Sequence, residues 1–301
     1  MSRHVPAAPI EVRPMLQNDL AAVLAVTEAA FSDLIGRISG HKPQERIFAS
    51  NLATYRLQLD PLGCHVAVSG EKVVGANFSV LRGTLAWFGP LAVEPDSQGH
   101  GIAQRLVAEC VRSAYERGAR LIGLETLANS PQHIHLYQKL GFRPSWTGVG
   151  YRREVRDEPM PAGIEIDGAI PQLDYVYPGY DASVDALATR STKAGVTLTR
   201  GDGFAVCHLT GTLWADTAMV YVPLIAAVDR ATFDSLLRAI GSLARDRGKS
   251  QIAMQVPGSA WATQDALLEH GYQPGGAALR MKQGQSTGYD AGPFYYCDDW
   301  H

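Results

Sequence analysis

The sequence predicts a mixed α+β fold: a mostly antiparallel sheet flanked by helices, built twice in tandem. Three observations carry this expectation. Short β-rich runs separated by glycine turns alternate with stretches of helical period. A fixed offset relates the two halves of the chain. At 301 residues the chain is also long for one compact core, when a domain takes about 150.

The elements follow in order. Ile10 to Met15 reads as a short strand, and Leu20, Val23, Leu24, Val26 and Phe31 then recur with helical spacing. A Gly-bearing loop leads to a second helix expected from Pro43, a good first-turn residue, to about Leu59, where Pro61 stops it. Cys64 to Ser69, Val73 to Leu81 and Leu85 to Val93 are β-rich runs turning at Gly70 and Gly83, which suits an antiparallel meander. Ala103 to Arg117 places Leu106, Val107, Cys110, Val111 and Ala114 on one helical stripe, with Gly118 at the C-cap. Leu121 to Thr126 returns as a buried strand, Pro131 to Leu140 forms a short helix closed by Gly141, and a final strand pair runs from Phe142 to about Val155.

Arg156 to Pro161 breaks the pattern and serves as the linker, dividing the chain into residues 1–156 and 162–301. An offset of 130 places Arg117 and Gly118 on Arg247 and Gly248, Ile122 on Ile252, Gly141 and Phe142 on Gly271 and Tyr272, and Pro144 on Pro274. Upstream, Pro90 and Leu91 match Pro223 and Leu224 at an offset of 133, so the second copy is expected to lack three residues of the intervening loop.

Composition narrows the class. Hydrophobic residues at 46% and charged residues at 19% are those of a soluble globular protein. A net charge of −3 shows none of the clustered basic excess that nucleic-acid binding needs. No apolar run has signal-peptide or membrane-spanning length, so the expected compartment is the cytoplasm, with no membrane partner. Cys64, Cys110, Cys207 and Cys297 lack paired spacing, which argues for reduced thiols and against a metal site.

The informative segment is Pro90 to Ala103, which leads from a strand straight to a helix N-terminus. Such a terminus offers unpaired N–H groups and the positive end of a dipole, and glycines let a pyrophosphate approach closely. Spacing separates the phosphate-binding patterns. A P-loop needs Lys then Ser or Thr after its last glycine, whereas Ile102 and Ala103 follow Gly101. A dinucleotide fingerprint needs a sixth-position glycine, and counting from Gly99 that position is Gln104. The pattern Gln-x-x-Gly-x-Ala is met by Gln98, Gly101 and Ala103.

At this segment the chain resembles the GNAT N-acetyltransferases. Leu136, Tyr137, Gln138, Lys139, Leu140, Gly141 and Phe142 look like the family's Leu-Tyr-x-x-x-Gly-Phe signature, and together the motifs cover roughly residues 10 to 155. The resemblance implies a splayed sheet, acetyl-coenzyme A as co-substrate, no metal, and acyl transfer to an amine. It implies that the backbone of Leu91, Ala92 and Val93 binds the pantetheine arm, with the Leu91 N–H polarising the thioester carbonyl. Amides of Gln98, Gly99, His100, Gly101, Ile102 and Ala103 are expected on the pyrophosphate. Tyr137 occupies the position that protonates the departing thiolate, or whose hydroxyl only hydrogen-bonds the sulfur; the sequence leaves both open. Asn129 resembles a cofactor-contacting asparagine, although Ser130 fits the usual spacing to Tyr137.

An amine must be neutral to attack, so a base is needed. Where lysine-modifying members carry a glutamate, this chain has Trp87. Glu125 is the expected substitute, with His133 and His135 behind it. No Cys–His pairing is evident that would favour covalent catalysis.

In the second half Asp229 and Arg230 stand where the glycine loop is expected, and Tyr137 maps onto Leu267, so that half reads as a degenerate copy in a structural or acceptor-site role. Its tail, Tyr289, Phe294, Tyr295, Tyr296 and Trp300, is expected to cover an apolar surface or line the acceptor pocket. A small-molecule amine is the expected acceptor, since the large second domain and the mobile-looking segment Ser32 to Pro43 argue for a closed pocket and a small ligand, and the chain is expected as a monomeric pseudo-dimer or a homodimer. The alternatives are a coenzyme A sensor without turnover and an acetyltransferase of protein N-termini or lysines.

Overall fold

The computed structural model of the protein describes residues 9–172, 178–285 and 294–299. The first half runs β1 (Ile10–Pro14), α1 (Leu20–Ser39), α2 (Leu52–Leu59), β2 (Cys64–Ser69), β3 (Lys72–Arg82), β4 (Leu85–Val93), α3 (Ile102–Glu116), β5 (Leu121–Leu127), α4 (Pro131–Lys139) and β6 (Arg143–Glu154). The second half runs β7 (Glu165–Ile166), α5 (Ser183–Ser191), β8 (Gly195–Arg200), β9 (Gly203–His208), β10 (Met219–Ala227), α6 (Arg230–Asp246), β11 (Gln251–Pro257), α7 (Trp261–Glu269), β12 (Gln273–Gly284) and β13 (Tyr295–Asp298). The result is a mixed α/β, mostly antiparallel open sheet flanked by helices.

Three sequence expectations are corrected. Residues 32–39 continue α1, which ends at Gly40 with a φ of +81° and a bond from its N–H to the Gly36 carbonyl, so most of the segment expected to be mobile is helix. The second helix begins at Leu52 and not at Pro43. The Glu28 carboxylate accepts from the N–H groups of Ile47 (2.6 Å) and Phe48 (3.1 Å), and the 47–49 backbone pairs with 213–215 of the second half, which holds it extended. Finally, the expected strand pair after Phe142 is one twelve-residue strand, β6.

That long strand crosses between the halves. The described strands form a single sheet in the order β1-β2-β3-β4-β5-β12-β6-β11-β10-β9-β8-β7, with β13 beside β10. β12 pairs with β5 of the first half, and β6 pairs with β11 of the second. The exchange is reciprocal: Gly284 faces Leu121 and Glu154 faces Gln251, each residue 130 positions from its counterpart. β6 and β12 also pair with each other, and Ala278 opposite Gly148 is its own counterpart under the same offset. A pseudo-twofold axis therefore passes through that pair. Each half's sheet is completed by the other's last strand, so a cut at residues 156–162 divides the chain but not the sheet.

Upstream the offset is 134, because Leu85 pairs with Leu121 as Met219 pairs with Gln251. The Pro-Leu match at 133 is thus one residue out of phase, and the second copy lacks four residues of the loop and not three. One core cluster spans both halves, packing Leu85, Trp87, Leu121 and Tyr151 with β9, β10 and α6. Arg82 on β3 also meets Asp185 on α5 in a buried two-point ion pair at 2.6 and 2.7 Å.

Candidate active site

The site begins where two strands part. β4 and β5 are parallel and pair from Leu85–Leu121 to Trp87–Gly123, and no further. Beyond Trp87, β4 stays on β3 while β5 leads towards α4, leaving one edge of β4 free. Strand alternation fixes which groups occupy that edge. The Glu94 N–H donates to the Val74 carbonyl at 2.9 Å, so Glu94 and Ala92 are directed at β3, and the backbone groups of Leu91 and Val93 point into the opening. The expected role of the Ala92 backbone is corrected on this ground.

The opening continues into a cavity of about 510 Å³. Its walls include Phe88 to Leu91 and Val93 of β4, Ser97 to Gly99 and Gly101 to Gln104 at the start of α3, Glu125 to Leu127 of β5, and Gln132, His133, Leu136 and Tyr137 of α4. α1 adds Ala30, Phe31, Leu34 and Arg37, and the second half adds Leu213, Trp214 and Ala278. Of the sequence-predicted residues, Ala92, His100 and Asn129 do not line it, and His135 is exposed on another face of α4. Ser97 and Gln104 flank the loop but hold no position in its Gln-x-x-Gly-x-Ala spacing, and no local pattern connects Thr126 or the second-half residues to it.

The start of α3 suits an anion. Gly101 is the N-cap at φ +75°, and the first helical bond runs from the Arg105 N–H to its carbonyl at 3.2 Å, so the amides of 102 to 104 have no acceptor earlier in the helix. Gly99 has a φ of +83°, and a Cβ there would meet no protein atom within 4 Å, so its surface opens outward. The Gln98 side chain donates to the Val93 carbonyl at 3.1 Å and ties the loop to the end of β4. A pyrophosphate with a strand-like arm fits this combination of free amides and free strand edge.

Tyr137 is buried in an aromatic nest with Phe88 and Phe142, at ring centroids 5.8 and 6.2 Å away. Desolvation raises its hydroxyl pKa above the ordinary value, so the proton is retained. His133 lies one turn earlier on the same face of α4. Its Nδ1 is 2.7 Å from the buried Ser130 Oγ, and burial, then the charge of Arg37, hold its pKa below 6.5, which keeps the ring neutral at pH 7.

Glu125 lines the cavity with both oxygens engaged. Arg280 Nε donates to Oε1 at 2.6 Å and Gln255 Nε2 to Oε2 at 2.7 Å, and neither side chain of the ion pair is exposed. Arg280 also donates to the Asp298 carboxylate and carbonyl at 2.7 Å each, linking Glu125 to β13. Trp87, at the place of the missing acid, is 1% exposed in the shared core. Cys110 and His65 do meet, at 3.7 Å, which the sequence did not suggest. Both are buried outside the cavity, and burial pushes the Cys110 thiol up to about 12, so it is no nucleophile near neutral pH.

The corresponding place in the second half is filled. β13 pairs antiparallel with Leu224 to Ala227, which the 134 offset sets over Pro90 to Val93. The Asp299 N–H donates to the Pro223 carbonyl at 2.9 Å, so Ile225 and Ala227, counterparts of Leu91 and Val93, face β13. At the start of α6 the Asp229 carboxylate accepts from the Thr232 N–H at 2.9 Å and occupies the position an anion would take. Leu267 replaces Tyr137 and is fully buried. Tyr295 stacks on Phe233 and Tyr296 is 2% exposed, so these tail residues cover apolar surface and do not line the cavity. Tyr289 and Trp300 lie outside the described residues.

Comparison with known proteins agrees with this geometry. Residues 27–142 match the Acetyltransferase (GNAT) family. No curated protein matches the chain. Among solved structures, a proposed acetyltransferase from Pyrococcus horikoshii superposes with a TM-score of 0.72 at 17% identity, over 100% of this chain and 99% of that one. A GCN5-related N-acetyltransferase from Sphaerobacter thermophilus gives a TM-score of 0.60 at 14% identity, over 94% and 98%. A tandem GNAT protein from the clavulanic acid biosynthesis pathway gives 0.52 at 16%, over 92% and 100%. At these identities the likeness is one of fold. Among the described residues, no helix is long and apolar enough to cross a membrane.

Proposed function

From the match of residues 27–142 to the acetyltransferase (GNAT) family, we propose that the protein transfers an acetyl group from acetyl-coenzyme A to the primary amine of a small molecule, by direct attack in a ternary complex. The observation that carries this reading is the meeting of free α3 amides, the free β4 edge and Tyr137 in one cavity. Amides from Gly99 to Ala103 take the pyrophosphate, the Gln98 N–H being held by the Pro95 carbonyl at 3.3 Å and His100 contributing backbone alone because its ring lies outside the cavity. Backbone groups of Leu91 and Val93 take the pantetheine arm as an added strand, and the Leu91 N–H is assigned to the thioester carbonyl oxygen.

The amine nitrogen attacks the thioester carbonyl carbon; the C–N bond forms, the C–S bond breaks, nitrogen loses a proton and the thiolate gains one. Tyr137 holds a proton at neutral pH and is assigned the second transfer. Glu125 is reassigned from base to positioning residue, because both its oxygens already accept, from Arg280 and from Gln255, inside a buried ion pair. The first transfer falls to His133, neutral and on the same face as Tyr137, with Ser130 fixing Nδ1. The second half is assigned a supporting role, completing the sheet and one cavity wall while its own slot holds β13.

A coenzyme A sensor is the second reading, favoured by the buried Trp87 where an acid is expected. An assay of acetyl-coenzyme A consumption against a panel of amines separates the two. Amine-dependent release of coenzyme A supports transfer, and tight binding without any amine-dependent release supports the sensor.

A further inference from the structure

The cavity lining includes an aromatic cluster built by both halves, Phe31 and Phe48 from the first and Trp214 from the second. The Phe48 ring stacks on Trp214 with centroids 5.8 Å apart and planes at 13°, and Phe31 meets Phe48 edge-on at 4.8 Å. Leu34 and Leu213 complete the apolar wall. This wall is fixed in place: the Ala49 N–H donates to the Leu213 carbonyl at 3.0 Å and the Ala215 N–H to the Ile47 carbonyl at 2.9 Å. Glu28 holds the same segment from α1.

The charge of the cavity is as informative as its shape. Among the described lining residues Glu125 is the one acidic side chain, and both its oxygens already accept, one from Arg280 and one from Gln255. Arg37 and His133 supply whatever further charge the lining carries, and both are basic groups. An ammonium group carried into this space finds no carboxylate free to receive it, and burying it unpaired is costly. An apolar surrounding instead favours the neutral amine, the form that attacks. The same 510 Å³ must also admit the acetylated arm.

We propose that the acceptor is an arylalkyl-type primary amine, a flat apolar body carrying one amine and no second positive charge. This rests on the acetyl-transfer reading and narrows it. The body lies against Phe31 and Trp214, which the buried Phe48 backs, and its amine points towards the free edge of β4.

The test compares 2-phenylethylamine, spermidine and a lysine-containing peptide as acceptors, with acetyl-coenzyme A affinity measured separately by calorimetry. The expected kcat/KM is highest for 2-phenylethylamine. Trp214→Ala is expected to raise KM for it about tenfold, the equivalent of about 1.4 kcal/mol, while Trp214→Phe restores most of the loss and acetyl-coenzyme A affinity is unchanged. Leu34→Asp, a second variant independent of the stack, is expected to shift preference towards spermidine. Preference of the unaltered protein for spermidine or the peptide, or an unchanged KM in Trp214→Ala, overturns the proposal and leaves acetyl transfer standing. Acetyl-coenzyme A binding without turnover of any amine overturns both, and absence of binding removes the parent reading first.

Discussion

Burial keeps the proton on the Tyr137 hydroxyl, and the side chain lines the cavity. Tyr137→Phe keeps the aromatic nest and removes the hydroxyl; kcat is expected to fall about a hundredfold with little change in acetyl-coenzyme A affinity. His133 is separable from Glu125 by pH. Rate is expected to fall on the acid side as the His133 ring protonates, below 6.5 because its pKa is depressed. His133→Gln should abolish that limb, whereas Glu125→Gln should lower kcat and keep it. A limb that follows Glu125 instead would return the base role to the carboxylate. The motif residues Gln98, Gly101 and Tyr137 were legible in the sequence because each is fixed by local spacing. The state of Glu125 was not, since its Arg280 partner is 155 positions away and arrives on an exchanged strand.

Strands decide which of the two copies keeps an open slot. In the first half the edge of β4 is free; in the second, β13 lies along the matching residues of β10. β13 is also tied to the open site through Asp298, Arg280 and Glu125. Asp298→Ala is expected to destabilise the fold by about 3 kcal/mol, because a buried guanidinium loses a carboxylate, and to lower kcat through loosened Glu125. Thermal unfolding and steady-state kinetics check the two effects. Nearly every element of the first half was legible from periodicity and glycine turns. The start of the second helix was not, because propensity at Pro43 is overridden by Glu28 and by pairing with 213–215. The strand exchange was equally hidden: duplicated halves carry the same apolar alternation, so β6 satisfies β5 or β11 alike and local sequence cannot choose.

The whole molecule is one sheet with crossed final strands, and calorimetric unfolding is expected to show a single transition with no separately melting half. Its seam contains a buried histidine. His208 Nε2 lies 3.1 Å from the Tyr55 hydroxyl and 3.2 Å from Thr189 Oγ1, and Nδ1 lies 2.7 Å from Thr212 Oγ1. Desolvation lowers its pKa to about 4, with the nearby acids Asp185 and Asp299 opposing and Arg56 and Arg82 reinforcing the shift. The unfolded chain therefore takes up this proton first, and stability is expected to be full above pH 6.5 and to fall as pH drops from there to about 4. The loss is up to about 3 kcal/mol from this group. In His208→Asn the decline over that window should be shallower, as followed by denaturant unfolding. At the same scale, one open slot and one filled slot imply one coenzyme A per chain. Calorimetric titration with acetyl-coenzyme A tests this most directly: the predicted result is one equivalent per chain, lost in Gly101→Asp, and two equivalents, or binding undiminished by Gly101→Asp, would contradict it.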